Sequence, residues 1–464
     1  MNSNLIEKIK QIVSAKNVLT ELEERYVYAL DATNKQNIEK LPDIVVFVET
    51  VEQVQKIVKL AYENKIPVIA RGAGTNLVGA CITIQGGIVM NFSKMDKILE
   101  INQENLTARI QAGVVVGNLQ TEVEKLGLFY PPDPSNLKVS TIGGSIALSS
   151  GGPRTFKYGS TKDYIIDLKV VLANGEIINT GSNTAKNSTG YNLSQLFIGS
   201  EGTLGIVVEA LVKLIPKPEG SKVVLAYFDK ISDATHAVNV ILENKLFPAT
   251  LDIMDEKTLQ TIEQFYPAGL LTNKDAALVI EVDGYLNSLD YQQEKIIQYC
   301  KQSGAGEIQF SKTPEDANRI WTARRSAFGA CAKLRPNVVA EDVVVPREKI
   351  SELVTGIREI CDRNQLLVCI MGHVGDGNIH PNIPLDLNDE NDVKNYAKAK
   401  DEIHKLAVEL GGTLSGEHGI GCEKSKYMNF AIDDVTLKYM EKIKEVFDEK
   451  NILNPGKIFP KKAF

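Results

Sequence analysis

The chain has five histidines, none before His236, so its first half offers no imidazole for metal binding, proton transfer or covalent attachment of a cofactor. Its six cysteines, at 81, 300, 331, 361, 369 and 422, form no C-x-x-C pair and no run of four thiolates. That argues against an iron–sulfur cluster or a thiolate zinc site and reads as the cysteine usage of a reducing cytoplasm. There is no basic surplus: 52 Lys and Arg against 59 Asp and Glu give a formal net charge of −7, which argues against a nucleic-acid partner. No run approaches the roughly 20 apolar residues a bilayer span needs, so no transmembrane segment is expected. The opening MNSNLIEKIKQIVSAKN spaces apolar and charged residues as a helix does, without the apolar core of a secretory signal, and none is expected. What is present is 464 residues with 43% hydrophobic and 24% charged, a globular composition long enough for two to three domains at about 150 residues each.

Residues 43–70 read as strand, amphipathic helix, strand, with Val51, Val54, Ile57, Val58 and Ala61 on one helical face. Thr50 and Gln53 form a capping-box pattern at the helix start. A helix over about 117–126 stops at Gly127. The proline-rich 131–134 and glycine-rich 143–152 look too irregular for core elements and read as binding loops. Asn174-Gly175 marks a hairpin within 168–179. The segment Ile215-Pro216-Lys217-Pro218-Glu219-Gly220 breaks periodicity and suggests a domain boundary. Beyond it, strands at 222–228, 249–254, 277–283 and 307–311 with helices at 230–244 and 288–303 give a split β-α-β, ferredoxin-like order. Helices around 313–332, 347–363, 393–410 and 433–448 and a hairpin around 367–383 complete the expectation.

Two groups of residues carry chemistry. In the first half, Arg71-Gly72-Ala73-Gly74-Thr75-Asn76 directly follows a strand, where glycines let backbone N–H groups approach an anion such as a pyrophosphate. Alone it could equally be a surface turn, and it is neither a Rossmann nor a Walker loop. Three more glycine-rich segments in the same region, at 140–144, 149–154 and 200–205, call for a shared reason. In the second half, His373 and His380 lie seven residues apart. A reversal at Gly375-Asp376-Gly377 would bring both imidazoles together, with Glu417 as a third metal ligand; the alternative is a glycine-rich turn bearing two surface histidines. His236 and His404 sit in amphipathic helices and read as surface or core-edge residues. Trp321 reads equally as a packing anchor or a pocket residue, Arg325 as solvated, and Lys424 as a second cation or a solvated lysine.

The ordered segments R-G-A-G-T-N, P-P-D-P-S, T-I-G-G, S-G-G-x-R, Y-G and G-S-E-G-T-L-G-I resemble the FAD-binding domain of the vanillyl-alcohol oxidase and p-cresol methylhydroxylase superfamily. The later E-D-V-V-V-P, G-H-V-G-D-G-N-I-H, S-G-E-H-G-I-G and N-P-G-K narrow the resemblance to the D-lactate, glycolate and D-2-hydroxyglutarate dehydrogenase branch. The resemblance implies an α+β fold: a two-subdomain FAD-binding domain plus a ferredoxin-like cap domain with an antiparallel sheet. Expected boundaries are 1–42 for an N-terminal helical segment, 43–218 for the FAD-binding domain, 219–420 for the substrate cap and 421–464 for a C-terminal return.

It further implies FAD contacts at Arg71, Gly72, Ala73, Gly74, Thr75, Asn76, Pro132, Asp133, Ser135, Thr141, Gly143, Gly144, Ser149, Gly151, Arg154, Tyr158, Gly159, Glu201, Gly205, Ile206 and Asn454. No histidine precedes 236, so the FAD is expected to be non-covalent. His373, His380 and Glu417 match the family's ligands for one divalent ion, with Zn²⁺, Fe²⁺ and Mn²⁺ equally suited. His418 matches the base and Arg324 the substrate arginine. Relatives that oxidise D-2-hydroxyglutarate carry a Thr and a Lys where Phe328 and Ala340 stand here, which favours a small 2-hydroxy acid, D-lactate first. Glycolate, D-2-hydroxyglutarate and a non-catalytic FAD electron-transfer subunit are the alternatives. An electron-transferring flavoprotein is the expected acceptor, in a heterodimer, and a homo-oligomer is compatible with the chain.

Overall fold

The computed structural model describes residues 1–33 and 40–460, which separate into two compact units. The first comprises, of these, residues 1–33, 40–151, 160–217 and 417–460, the second residues 152–159 and 218–416. This division differs from the expected boundaries in three places. The N-terminal helix Ser3–Val13 belongs to the first unit, because Ile9 and Val13 enter its core. The return to that unit begins at Glu417. The eight residues Gly152–Gly159, embedded in the glycine-rich sequence of the first unit, group with the second.

The first unit holds two main sheets. In one, Ile44–Phe47, Ile88–Asn91 and Val68–Arg71 run parallel, with Val18–Leu19 antiparallel on the edge. The helix Val51–Asn64 connects two of these strands, but they are not neighbours: Ile88–Asn91, buried at all four positions, lies between them. Thr50 caps the helix by accepting from Gln53 N at 3.3 Å, while the Gln53 side chain reaches back to Glu49 N, one residue earlier than a capping box requires. The other sheet is a five-stranded antiparallel array ordered Ile98–Asn102, Thr107–Gln111, Ile206–Lys213, Ile165–Val171 and Ile177–Asn179. The last two form the Asn174-Gly175 hairpin, with Gly175 at φ +83°.

The glycine-rich 143–152 is more ordered than its composition suggests. Ile142–Leu148 is a helix capped by Thr141, whose hydroxyl accepts from Gly144 N at 3.2 Å. Gly143 is a packing choice, since a Cβ there would sit 2.8 Å from Ala112 Cβ and 3.0 Å from its carbonyl. Tertiary contact here overrides weak helix propensity.

The second unit is an eight-stranded sheet. Its strands Ile308–Phe310, Gly220–Phe228, Ala276–Gly284 and Thr250–Asp255 lie in that order, antiparallel, as the ferredoxin-like pattern requires. Cys369–His373, Asn378–Leu385 and Asn337–Ala340 extend it, and Val343–Val344 pairs with the second of these. Alternate strand residues feed two cores. Val224, Ala226 and Phe228 face the helices Ile231–Glu243, Leu286–Gln302, Ile350–Arg363 and Glu390–Glu409. Val223, Leu225 and Tyr227 face the helices Glu256–Phe265 and Pro314–Cys331. The first of that pair was not anticipated, although Asp255 caps it at Thr258 N (2.9 Å) and Leu259 and Ile262 recur at helical spacing.

One buried cation ties the C-terminal segment to the first unit. Lys444 Nζ donates to the carbonyls of Thr203 (2.8 Å) and Leu453 (3.0 Å) and to Asp448, whose carboxylate also accepts from Ile452 N and Leu453 N. Burial pulls the Lys444 pKa down while Asp448 resists. Lys444→Met should therefore lower the unfolding free energy of this unit by about 3–5 kcal/mol, the usual cost of stranding a buried charge. Urea denaturation checks this, and a loss below about 1 kcal/mol would show that Asp448 finds compensation elsewhere.

Candidate functional site

In the first unit the glycine-rich segments converge backbone to backbone. A Cβ on Gly72 would lie 2.2 Å from Thr141 Oγ1, and one on Gly421 1.9 Å from the Val78 carbonyl. Glu201 N donates to Ala147 O at 2.8 Å and Gly199 N to Ile146 O at 2.9 Å, joining the G-S-E-G segment to the helix Ile142–Leu148. Arg71 braces its own loop, donating through Nη1 to Leu30 O at 2.6 Å and covering Tyr28. Asn454 donates to both Ala80 O (2.9 Å) and Glu201 O (2.7 Å), so the N-P-G-K turn clasps two of the loops. Thus Gly72, Thr141, Gly143, Glu201 and Asn454 lie in one neighbourhood.

Glu201 has a defined task there. Its buried carboxylate accepts from Ile420 N at 2.7 Å and from Gly421 N at 2.8 and 3.0 Å. Burial pushes its pKa up, against those N–H groups and the charges of Lys457 and Lys424. It fixes the turn that follows His418, whose Nε2 stands 4.0 Å from Glu417 Oε1. Lys424 is 2% exposed, so it is not a solvated lysine; its neighbours in the G-I-G turn draw it in beside Glu201.

Arg154, Tyr158 and Gly159 lie in the stretch that groups with the second unit. Tyr158 OH donates to Asp283 Oδ2 at 2.7 Å, Lys157 pairs with the same carboxylate, and Arg154 is a charge neighbour of Glu281. Phe156 packs on Phe247 with centroids 4.7 Å apart and against Gly375, where a Cβ would meet its ring at 2.7 Å. This segment therefore buttresses the β-hairpin that carries both histidines.

That hairpin explains how residues seven apart share a face. Its strands pair Met371 with His380 and His373 with Asn378 across the four-residue turn 374–377. Directly opposed residues project to the same side, so His373 and His380 are diagonal neighbours, with ring centroids 5.2 Å apart at 81°. The two imidazoles therefore meet across the hairpin.

Around them the sheet face changes character. The part under the helices Glu256–Phe265 and Pro314–Cys331 is apolar, whereas at the strand ends Thr250, Asp252, Glu281, Asp283, His373, Asn378 and His380 follow in the same alternation. Asp252 is fully buried. Its Oδ1 lies 2.7 Å from His373 Nδ1 and its Oδ2 2.8 Å from Arg324 Nε, the latter a charge contact rather than an aligned hydrogen bond. Burial works against ionisation of Asp252, but the charges of His373 and Arg324 prevail and hold its carboxyl below the ordinary range. Arg324 Nη1 lies 3.3 Å from the Met371 sulfur.

Asp342, also fully buried, accepts from Asn378 Nδ2 (2.6 Å), Ser415 Oγ (2.5 Å) and Gly416 N (2.9 Å), and stands 3.6 Å from His380 Nδ1. Each imidazole thus has a buried carboxylate on its Nδ1 side, an arrangement that leaves Nε2 for a ligand. The Asp342 bonds also fix Gly416, the residue covalently preceding Glu417.

Trp321 is both anchor and donor: it lies in the apolar core and gives Nε1–H to Glu281 Oε2 at 2.6 Å. Burial pushes Glu281 up, against Arg154, Ser221 and Trp321. Arg325 is exposed as expected and lies over the Trp321 ring, and His236 is exposed. His404 is not a surface or core-edge residue. It is fully buried, with Nε2 3.2 Å from Glu341 Oε2, because its helix face bears Ala399, Ile403 and Ala407 and packs on the sheet. Phe328 is 42% exposed, one turn beyond Arg324. Asp252, Asp342 and Glu281 were not singled out from sequence. For Asp252 and Glu281 the available signal was an acid inside an otherwise apolar strand, which needs a buried partner, whereas Asp342 lies between strands, within the E-D-V-V-V-P segment.

Residues 42–181 match the family described as FAD binding domain, and residues 217–458 the family described as FAD linked oxidases, C-terminal domain. The chain is 43% identical to the glycolate oxidase subunit GlcD of Bacillus subtilis (strain 168) over 98% of its own length and 97% of that protein's. It is 37% identical to a D-lactate dehydrogenase of Anaerostipes hadrus, covering 98% and 97% of the two chains. The solved structure of p-cresol methylhydroxylase with substrate bound aligns with a TM-score of 0.83 over 98% of this chain and 96% of that one, at 19% identity, a likeness of fold. The chain therefore belongs to the FAD-linked oxidases, as an FAD-dependent oxidoreductase with the vanillyl-alcohol oxidase and p-cresol methylhydroxylase fold.

Proposed function

We propose that this protein oxidises a small 2-hydroxy acid, D-lactate to pyruvate before others, and passes the electrons to a soluble electron-transferring flavoprotein. The observation that carries the reading is the polar end of the second unit's sheet, where a guanidinium and two imidazoles are backed by buried carboxylates. A carboxylate substrate suits a guanidinium fork. Two imidazoles with carboxylates behind their Nδ1 atoms suit a divalent metal. The relatives' names span both glycolate and D-lactate. Glycolate is the second reading, favoured by the 43% identity to the glycolate oxidase subunit.

FAD fits the first unit's loops, where glycines bring backbones together too tightly for side chains. It would be held without a covalent bond by residues of the 71–76, 141–151 and 201–206 segments and Asn454, and would accept the hydride from the substrate carbon. A divalent ion on His373, His380 and Glu417 would lower the pKa of the substrate hydroxyl. Arg324 binds the substrate carboxylate and sets the orientation of the reacting carbon. His418 accepts the hydroxyl proton as general base. Glu201 keeps the backbone beyond His418 from shifting by holding Ile420 and Gly421. The absence of cluster and haem motifs from the sequence supports an external acceptor, and no described helix is long and apolar enough to cross a membrane. A quinone as direct acceptor is the competing outcome.

Anaerobic D-lactate should bleach the bound flavin faster than glycolate, L-lactate or D-2-hydroxyglutarate. Faster bleaching by glycolate would transfer the assignment to it, and bleaching by none would end the reading. His418→Ala should retain FAD yet slow reduction by about 10²–10⁴. Arg324→Ala should weaken substrate binding by about 1.5–3 kcal/mol. Elemental analysis should find a divalent metal in the wild type and much less in His373→Ala and His380→Ala; equal content in all three would refute the ligand assignment.

A further inference from the structure

We propose that Asp252 is a shared positioning residue that orients the substrate-binding guanidinium and one metal-side imidazole together, so that both ligands depend on a single buried carboxylate. The inference rests on the functional reading above and adds to it a residue that neither sequence motif contains.

Asp252 sits in the central strand Thr250–Asp255, with its side chain on the face it shares with His373 in the register of the neighbouring strand. Its exposure is 0%, so no solvent screens its contacts. One oxygen meets His373 Nδ1 at 2.7 Å and the other meets Arg324 Nε at 2.8 Å. The two partners come from different elements, the strand Cys369–His373 and the helix Pro314–Cys331, and Asp252 is the atom group common to both.

The chemistry of each contact is specific. A carboxylate can only accept, so the His373 proton resides on Nδ1 and the Nε2 lone pair is left for a cation. On Arg324 the contact uses Nε, which leaves both Nη groups as the fork for a ligand carboxylate. Nη1 meets a soft thioether acceptor in Met371, at 3.3 Å, which a carboxylate oxygen readily replaces.

Asp252→Asn keeps the shape and cannot keep both contacts. With its carbonyl toward His373, the amide NH₂ faces Arg324 Nε, donor against donor. Turned over, the NH₂ meets His373 Nδ1 and drives the ring proton to Nε2, which removes the lone pair a metal needs. A residue that merely fills space would show neither effect.

The test uses the FAD-loaded protein. Zn²⁺ affinity is measured by competition with a chromophoric chelator, and KM and kcat for D-lactate are measured with an artificial acceptor. Asp252→Asn should lose about 10–100-fold in Zn²⁺ affinity, the range typical for carboxylates behind ligand histidines, and should raise KM at least tenfold. In a cycle with Arg324→Gln, the rise in KM should be clearly less than multiplicative, since each variant removes the same contact. If Asp252→Asn does not fold and retain FAD, Asp252→Glu replaces it, with the charge kept but the reach changed, and the same two losses are expected. A variant with wild-type Zn²⁺ affinity or wild-type KM overturns the inference alone, provided the wild type binds Zn²⁺ and reduces its flavin with a 2-hydroxy acid. A wild type that does neither overturns the functional reading and the inference with it.

Discussion

A carboxylate that is wholly buried must be met by donors or cations, and this requirement organises the candidate site. Asp252, Asp342 and Glu201 are each inaccessible or nearly so, and each holds a segment that bears a proposed functional residue. Asp252 holds Arg324 and His373; Asp342 holds Asn378, Ser415 and Gly416; Glu201 holds Ile420 and Gly421. The glycines of G-H-V-G-D-G-N-I-H and S-G-E-H-G-I-G have no side chains with which to fix their own conformation. The acids that accept their amides, or the bonds of their neighbours, supply that rigidity from outside the motif.

The fold supports this by leaving one end of a sheet uncovered by apolar helices. The helices Glu256–Phe265 and Pro314–Cys331 bury Val223, Leu225, Tyr227, Val279 and Met254 on one face. Continued along the same strands, that face becomes Thr250, Asp252, Glu281 and Asp283, and the His373 hairpin joins it. Arg324 reaches the polar end from the helix whose Ile320, Ala323 and Ala327 lie in the apolar core, so its placement follows from helix packing.

Much of this was legible in the sequence. The order of β-rich and helical segments beyond residue 220 pointed to the ferredoxin-like arrangement, and Gly375-Asp376-Gly377 to the hairpin that unites His373 and His380. The glycine-rich loops announced a nucleotide cofactor, and the family resemblance pointed to Arg324. What escaped was non-local. Asp252 reads as one polar residue in TLDIMD, and nothing within that strand says that its partners lie 72 and 121 positions away. The segment 152–159 reads as part of a nucleotide loop, and Phe247, Asp283 and Gly375, far along the chain, draw Phe156, Lys157 and Tyr158 to the second unit. His404 looked peripheral because Glu341, the acid it meets, lies outside its own helix.

The most direct test of the account is anomalous diffraction from crystals of the FAD-loaded protein grown with Zn²⁺. The account predicts a peak about 2.0–2.1 Å from Nε2 of both His373 and His380. It also predicts that a bound 2-hydroxy acid places its carboxylate on Arg324. No peak at the imidazoles, with the substrate carboxylate lying away from Arg324, would contradict it.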